Sequence, residues 1–128
     1  MIPKIPIEKF LKLYKSLPQD LQEVVSSEKT GEEVWDICQR YGIPEKSEEI
    51  LDVVGLVLIG LLPPEDFRTA LEKDLKISSP IAEKINREIF RFVFFPVKLS
   101  LEKIYKMEIE EGGTVKEKKE DIYREPIE

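Results

Sequence analysis

The sequence predicts an all-α fold, a compact bundle of six to seven short helices around a central apolar helix, with a flexible acidic C-terminal tail. Three observations lead there. The chain carries no charge between Asp52 and Glu65, and Ile50 to Leu62 is apolar around a helix's whole circumference, so neighbouring amphipathic segments must cover it. Apolar residues do recur at helical spacing on both sides of it. Prolines and capping residues fall where helices would begin, at Pro18, Pro64 and Ser79-Pro80, and the short connections left between them favour antiparallel neighbours.

At 128 residues and 41% hydrophobic content the chain suits one domain, residues 1–107, followed by a tail, residues 108–128. The net charge of −6 is uneven: the tail holds eight acidic and four basic residues, which leaves 18 acidic against 16 basic in the body. A nearly neutral body lacks the basic face that neutralises phosphates, so no nucleic-acid partner is expected. The single cysteine, Cys38, excludes an intrachain disulfide, and the absence of histidine excludes cysteine-histidine metal sites, serine-histidine triads and histidine acid-base chemistry. No cofactor is expected. The apolar stretch is shorter than the roughly 20 residues a membrane span needs, and the N-terminus has no long apolar signal region, so a cytoplasmic setting is expected.

In chain order, Ile7, Phe10, Leu13, Tyr14 and Leu17 follow Pro6 at helical spacing, with Lys4, Lys9, Lys12 and Lys15 opposite. This basic amphipathic helix either docks on its own domain, the simpler reading, or lies on an anionic membrane surface or partner. Pro18 then starts a short helix, Gln19 to about Ser26, with Leu21, Val24 and Val25 inward. Thr30-Gly31-Glu32-Glu33 has capping-box form, which predicts a helix start with Val34, Ile37, Cys38 and Tyr41 inward, Trp35 flanking and Gly42 as a left-handed cap.

Ser47 or a neighbour should cap the central helix, within which Gly55 and Gly60 suggest close approach of another backbone. Pro64 opens the next helix, with Phe67, Leu71 and Leu75 as its stripe; Ser79 caps the one after it, which is expected to run to about Phe94 with Ile81, Ile85, Ile89 and Phe92 inward. Residues 32–62 and 65–95 read as a weak duplication, because a shift of 34 superposes Ile37 on Leu71, Tyr41 on Leu75, Ile43 on Ile77 and Leu51 on Ile85. Chance matching of two amphipathic hairpins explains this equally simply. After Pro96, Val97, Leu99, Leu101, Ile104 and Tyr105 suggest a last helix. Gly112-Gly113 would allow a loose hairpin, although the charged run from Lys116 to Asp121 favours disorder.

Leu17-Pro18-Gln19-Asp20-Leu21-Gln22-Glu23, Ser27-Glu28-Lys29-Thr30, the run Gly55 to Phe67, Ile81 to Phe90 and the closing Tyr123-Arg124-Glu125-Pro126-Ile127-Glu128 resemble small uncharacterised helical proteins of candidate-phylum bacteria with reduced genomes. The resemblance spans most of the chain from Leu17. It implies a bacterial cytoplasmic setting and one helical domain with a tail, and it carries no functional residue.

Enzyme chemistry finds little material. Glu48, Glu49 and Asp52 fall on adjacent helix positions where a hard cation is conceivable, but a solvated, negative first turn on the helix dipole accounts for them. Cys38 reads as core, Ser79 as a cap, and Ser78 has no activating base nearby in sequence. A helix-turn-helix reader is disfavoured because Val53 to Leu62 offers no polar side chain to a base edge.

A non-catalytic protein-protein interaction or scaffold module is therefore expected, with a protein partner or a second copy. Its candidate contacts are Ile122, Tyr123, Arg124 and Ile127, a linear motif in the tail, and a helix patch of Arg87, Phe90, Arg91 and Phe94. The patch exists only if Phe90 and Phe94 are not covered by a later segment such as Val97 to Tyr105, and cover is the favoured outcome.

Overall fold

Helical periodicity and proline punctuation organise the body as expected. The structure is a computed structural model that describes residues 6–105 in full and the backbone of residues 107–109 and 115–117. Seven α-helices occur among the described residues: α1 (Ile7–Lys15), α2 (Gln19–Ser26), α3 (Glu28–Arg40), α4 (Ser47–Leu58), α5 (Phe67–Lys73), α6 (Ser79–Ile89) and α7 (Lys98–Tyr105). The body is all-α. Beyond it, β1 (Met107–Ile109) pairs antiparallel with β2 (Val115–Glu117), Met107 facing Glu117 and Ile109 facing Val115, which is the hairpin that Gly112-Gly113 allows. Lys4 and the tail motif residues Ile122, Tyr123, Arg124 and Ile127 lie outside the described residues, as does the tail expected to be disordered, except for Glu108, Ile109 and Val115–Glu117, which are in the two strands and not disordered.

α4 is the core. Ile50, Val53, Val54, Leu56, Val57 and Leu58 are buried along it, and it packs against α2, α3 and α5. It ends at Leu58, four residues earlier than the apolar run suggests, because Gly60 adopts φ +94°. Gly60 N–H bonds the Val57 carbonyl (3.2 Å) and Leu61 N–H the Leu56 carbonyl (2.9 Å), the paired bonds of a Schellman cap. Gly60 is thus a helix stop, not a place where another backbone comes close. Gly42 stops α3 identically, at φ +77°, with Gly42 N–H on Gln39 (3.1 Å) and Ile43 N–H on Cys38 (2.9 Å).

Three helix starts differ from the sequence expectation. Ser27, whose Oγ accepts from Lys29 N–H at 3.1 Å, caps α3 in place of Thr30. Thr30 is buried, and its hydroxyl donates to the Val24 carbonyl at 2.9 Å, a second bond to a group that also accepts from Ser27 N–H at 3.3 Å. Neither Ser47 nor Ser79 caps through its side chain: α4 is entered from a 3-10 turn at Pro44–Lys46, and α6 follows Ser78 with no side-chain bond.

The end of α6 carries the largest correction. From Phe90 to Phe94 the helix widens into a π turn, followed by a 3-10 turn at Phe95–Val97. Pro96 lacks the N–H that Phe92's carbonyl would receive in an α-helix, and the Phe95 N–H reaches back to Phe90 instead. The wider turn moves the stripe from Phe92 to Val93 and Phe94, so Phe92 is 44% exposed while Phe90 and Phe94 are fully buried. Phe94 stands edge-on to Phe67 at 5.4 Å and to Phe90 at 5.1 Å between ring centroids. The patch of Arg87, Phe90, Arg91 and Phe94 is therefore not formed: its aromatics are core, and Arg87 pairs with Glu83 at 3.1 Å on its own helix. In α7, Leu101 is buried and Leu99 is exposed.

Candidate functional site

An apolar cleft of about 820 Å³ opens beside the central helix. Leu51 and Gly55 of α4 form one wall and Val24 and Val25 of α2 with Gly31 of α3 the other, over the buried Val54, Leu58 and Thr30; Phe10 of α1 also lines it. The two glycines explain why there is space. A Cβ at Gly55 would meet no described atom within 4 Å, and one at Gly31 would make only ordinary contact, 3.7 Å, with Leu51. Gly55 therefore leaves a gap in the α4 surface, where the sequence suggested close backbone approach. A run of otherwise large apolar residues interrupted by one glycine was the available signal, but the gap depends on how α2 and α3 face α4.

The rim is negative. Glu28, Glu49 and Asp52 line the cleft, and among the described residues no lysine or arginine does. Glu49 meets Lys46 at 3.6 Å across the start of α4, an exposed pair worth little. Glu48, Glu49 and Asp52 are all exposed, and among the described residues no three acidic or cysteine side chains converge as a metal site would require. Burial, with the Glu45 carboxylate adding to it, pushes the Cys38 thiol up to about 11, so it is protonated at neutral pH as well as enclosed.

α1 borders this cleft without being absorbed into the core. None of its residues is buried, and Ile7, expected inward, is 67% exposed, with Leu11 at 45%. It is held through Tyr14, whose carbonyl accepts from Gln22 Nε2 at 2.8 Å and whose hydroxyl donates to the Gln22 carbonyl at 3.3 Å. Among the described residues no helix is long and apolar enough to cross a membrane.

Away from the cleft, two polar clusters fasten elements together. The Glu88 carboxylate of α6 accepts from Arg40 Nη1 (2.5 Å) and from the Tyr41 hydroxyl at the end of α3. Burial works to raise its pKa, but those two hydrogen bonds and the Arg40 charge hold it below the ordinary carboxylate value. Ser100 of α7 donates to the Asp20 carboxylate of α2 at 2.8 Å. Both clusters are consumed by structure. No protein-family model matches the chain, and no curated protein or solved structure matches it either.

Proposed function

We propose that this is a non-catalytic protein-protein interaction module whose recognition surface is the cleft between α2, α3 and α4. The observation that carries the reading is an apolar concavity whose charged lining residues, among those described, are all acidic. Such a surface suits an amphipathic helix that lays its apolar side in the groove and sets basic residues against Glu28, Glu49 and Asp52. A fatty acid or other anionic small molecule would meet those carboxylates unfavourably. The tail residues Ile122, Tyr123, Arg124 and Ile127 form a second contact to a partner, as a linear motif at the end of the chain. A bacterial cytoplasmic setting accords with this reading.

A photo-crosslinking phenylalanine analogue in place of Leu51, which lines the cleft and is 36% exposed, tests it. Light should attach a polypeptide there, and Gly55→Leu, which fills the groove, should abolish the adduct. No adduct, or one indifferent to Gly55→Leu, contradicts the cleft. For the tail, a pull-down recovering the same partners after Tyr123→Ala and Ile127→Ala would end the linear-motif reading.

A second reading is peripheral attachment to an anionic membrane through α1, favoured by its exposed Ile7 and Leu11 and by Lys9, Lys12 and Lys15. Sedimentation with anionic vesicles, lost in Leu11→Glu, would support it.

A further inference from the structure

We propose that the segment seated in the cleft is α1 of a second copy of this chain, so that two copies associate with each α1 closing the other's cleft. This rests on the reading of the cleft as a docking groove. The two surfaces are complementary, and among the described residues neither has a cover. At 100° per residue, Ile7 and Leu11 lie about 40° apart on α1, with Lys15, Glu8 and Lys12 following on round the helix. That is an apolar stripe whose border carries two lysines and one glutamate, a net positive charge. The cleft is its counterpart, an apolar wall with Glu28, Glu49 and Asp52 at the rim.

Among the described residues nothing on the same chain covers this stripe. The reciprocal Tyr14 and Gln22 bonds set its rotation so that Phe10 reaches the edge of the cleft, while Ile7 and Leu11 are exposed and do not line it. The C-terminal tail is the poorer occupant, since residues 108–128 hold eight acidic against four basic residues and would bring like charge to the acidic rim. Because Phe10 lines the cleft, α1 runs alongside it, and the inserting helix and the receiving groove are neighbours on each copy. An isologous two-fold interface needs that arrangement, and it closes at two copies.

Analytical ultracentrifugation of the full chain from low to high micromolar concentration tests this. The wild type should approach twice the monomer mass. Leu11→Glu, which spoils the inserting stripe, and Gly55→Leu, which fills the groove, should each sediment as monomers while keeping the wild-type circular dichroism. Mixing the two variants should restore association, because one retains α1 and the other retains the cleft, so a single good contact forms. A wild type monomeric at every concentration overturns the proposal, as does a dimer that survives both substitutions undiminished. A monomeric wild type that still gives the Gly55-sensitive Leu51 adduct with another protein overturns the self-association and leaves the cleft reading standing. Leu11-dependent binding to anionic vesicles by a chain that remains monomeric assigns the stripe to a membrane and also overturns it.

Discussion

The Tyr105 hydroxyl stands 2.6 Å from the Val57 carbonyl oxygen, joining the last helix of the body to the end of the central one. It also lies 2.8 Å from the Leu62 carbonyl and accepts from Leu62 N–H at 3.3 Å. One phenolic group thus adds to the backbone bonding where Gly60 ends α4, since Val57 also accepts from Gly60 N–H and Leu62 N–H also reaches the Leu56 carbonyl. Tyr105→Phe removes the hydroxyl's bonds and should cost about 0.5–1.5 kcal/mol in urea unfolding. Burial raises the Tyr105 pKa above its ordinary 10.0, against the pull of the backbone bonds. A folded-state pKa above the unfolded one gives stability that is complete below about pH 10 and lost as pH climbs beyond it. Tyr41 and Cys38 are raised as well, so Tyr105→Phe should flatten the alkaline loss only in part.

Glu88 gives the opposite dependence. Its folded pKa lies below the ordinary 4.5, so its contribution is present above that value and fades as pH falls through the folded pKa. Glu88→Gln should cost about 1–2 kcal/mol at neutral pH, since it weakens the link from α6 to Arg40 and Tyr41. The gap between wild type and variant should narrow below pH 4.5. A gap constant with pH would show that the charge of Glu88 does not matter.

Phe94→Ala should cost about 3–5 kcal/mol, the range for a buried aromatic packed on two others, measured by thermal or denaturant unfolding. A loss near zero would return Phe94 to the surface.

Gly42 and Lys76 are 34 residues apart and both left-handed, at φ +77° and +60°. The sequence offset that aligns Ile43 with Ile77 therefore aligns two left-handed positions, although Ile43 N–H bonds Cys38, five residues back, and Ile77 N–H bonds Leu71, six back. A lysine carries a strain there that glycine does not, so Lys76→Gly should be neutral or stabilising by up to about 1 kcal/mol, and Gly42→Ala should destabilise by a similar amount. Paired melting curves decide this.

Such local features account for how much was legible in advance. Pro18 and α2 agree to the residue, Gly42 caps as its position suggested, and Phe67, Leu71 and Leu75 are buried as their spacing requires. Phe92 was misplaced because a π turn inserts an extra residue per turn, which periodicity at 3.6 does not register. Thr30 was misread because the partner of its hydroxyl, the Val24 carbonyl, belongs to another helix. The cleft escaped for the same reason: Gly31 and Gly55 make a groove only once α3 is laid beside α4.

Gly55 also allows the groove to be separated from stability. It lies inside α4 with open space where a Cβ would go, so Gly55→Ala should stabilise the helix by about 1 kcal/mol in thermal unfolding. A destabilised variant would mean the space is occupied in solution.

The most direct measurement of the cleft as a docking groove is an amide NMR titration of the Leu11→Glu chain with a synthetic peptide of residues 6–17. Shifts should saturate and cluster at Gly31, Leu51, Asp52 and Gly55, weaken as salt rises because the acidic rim contributes, and vanish in the Leu11→Glu, Gly55→Leu double variant. Shifts scattered over the surface, or an unchanged response when Gly55 is replaced by leucine, would contradict the cleft as the site of recognition.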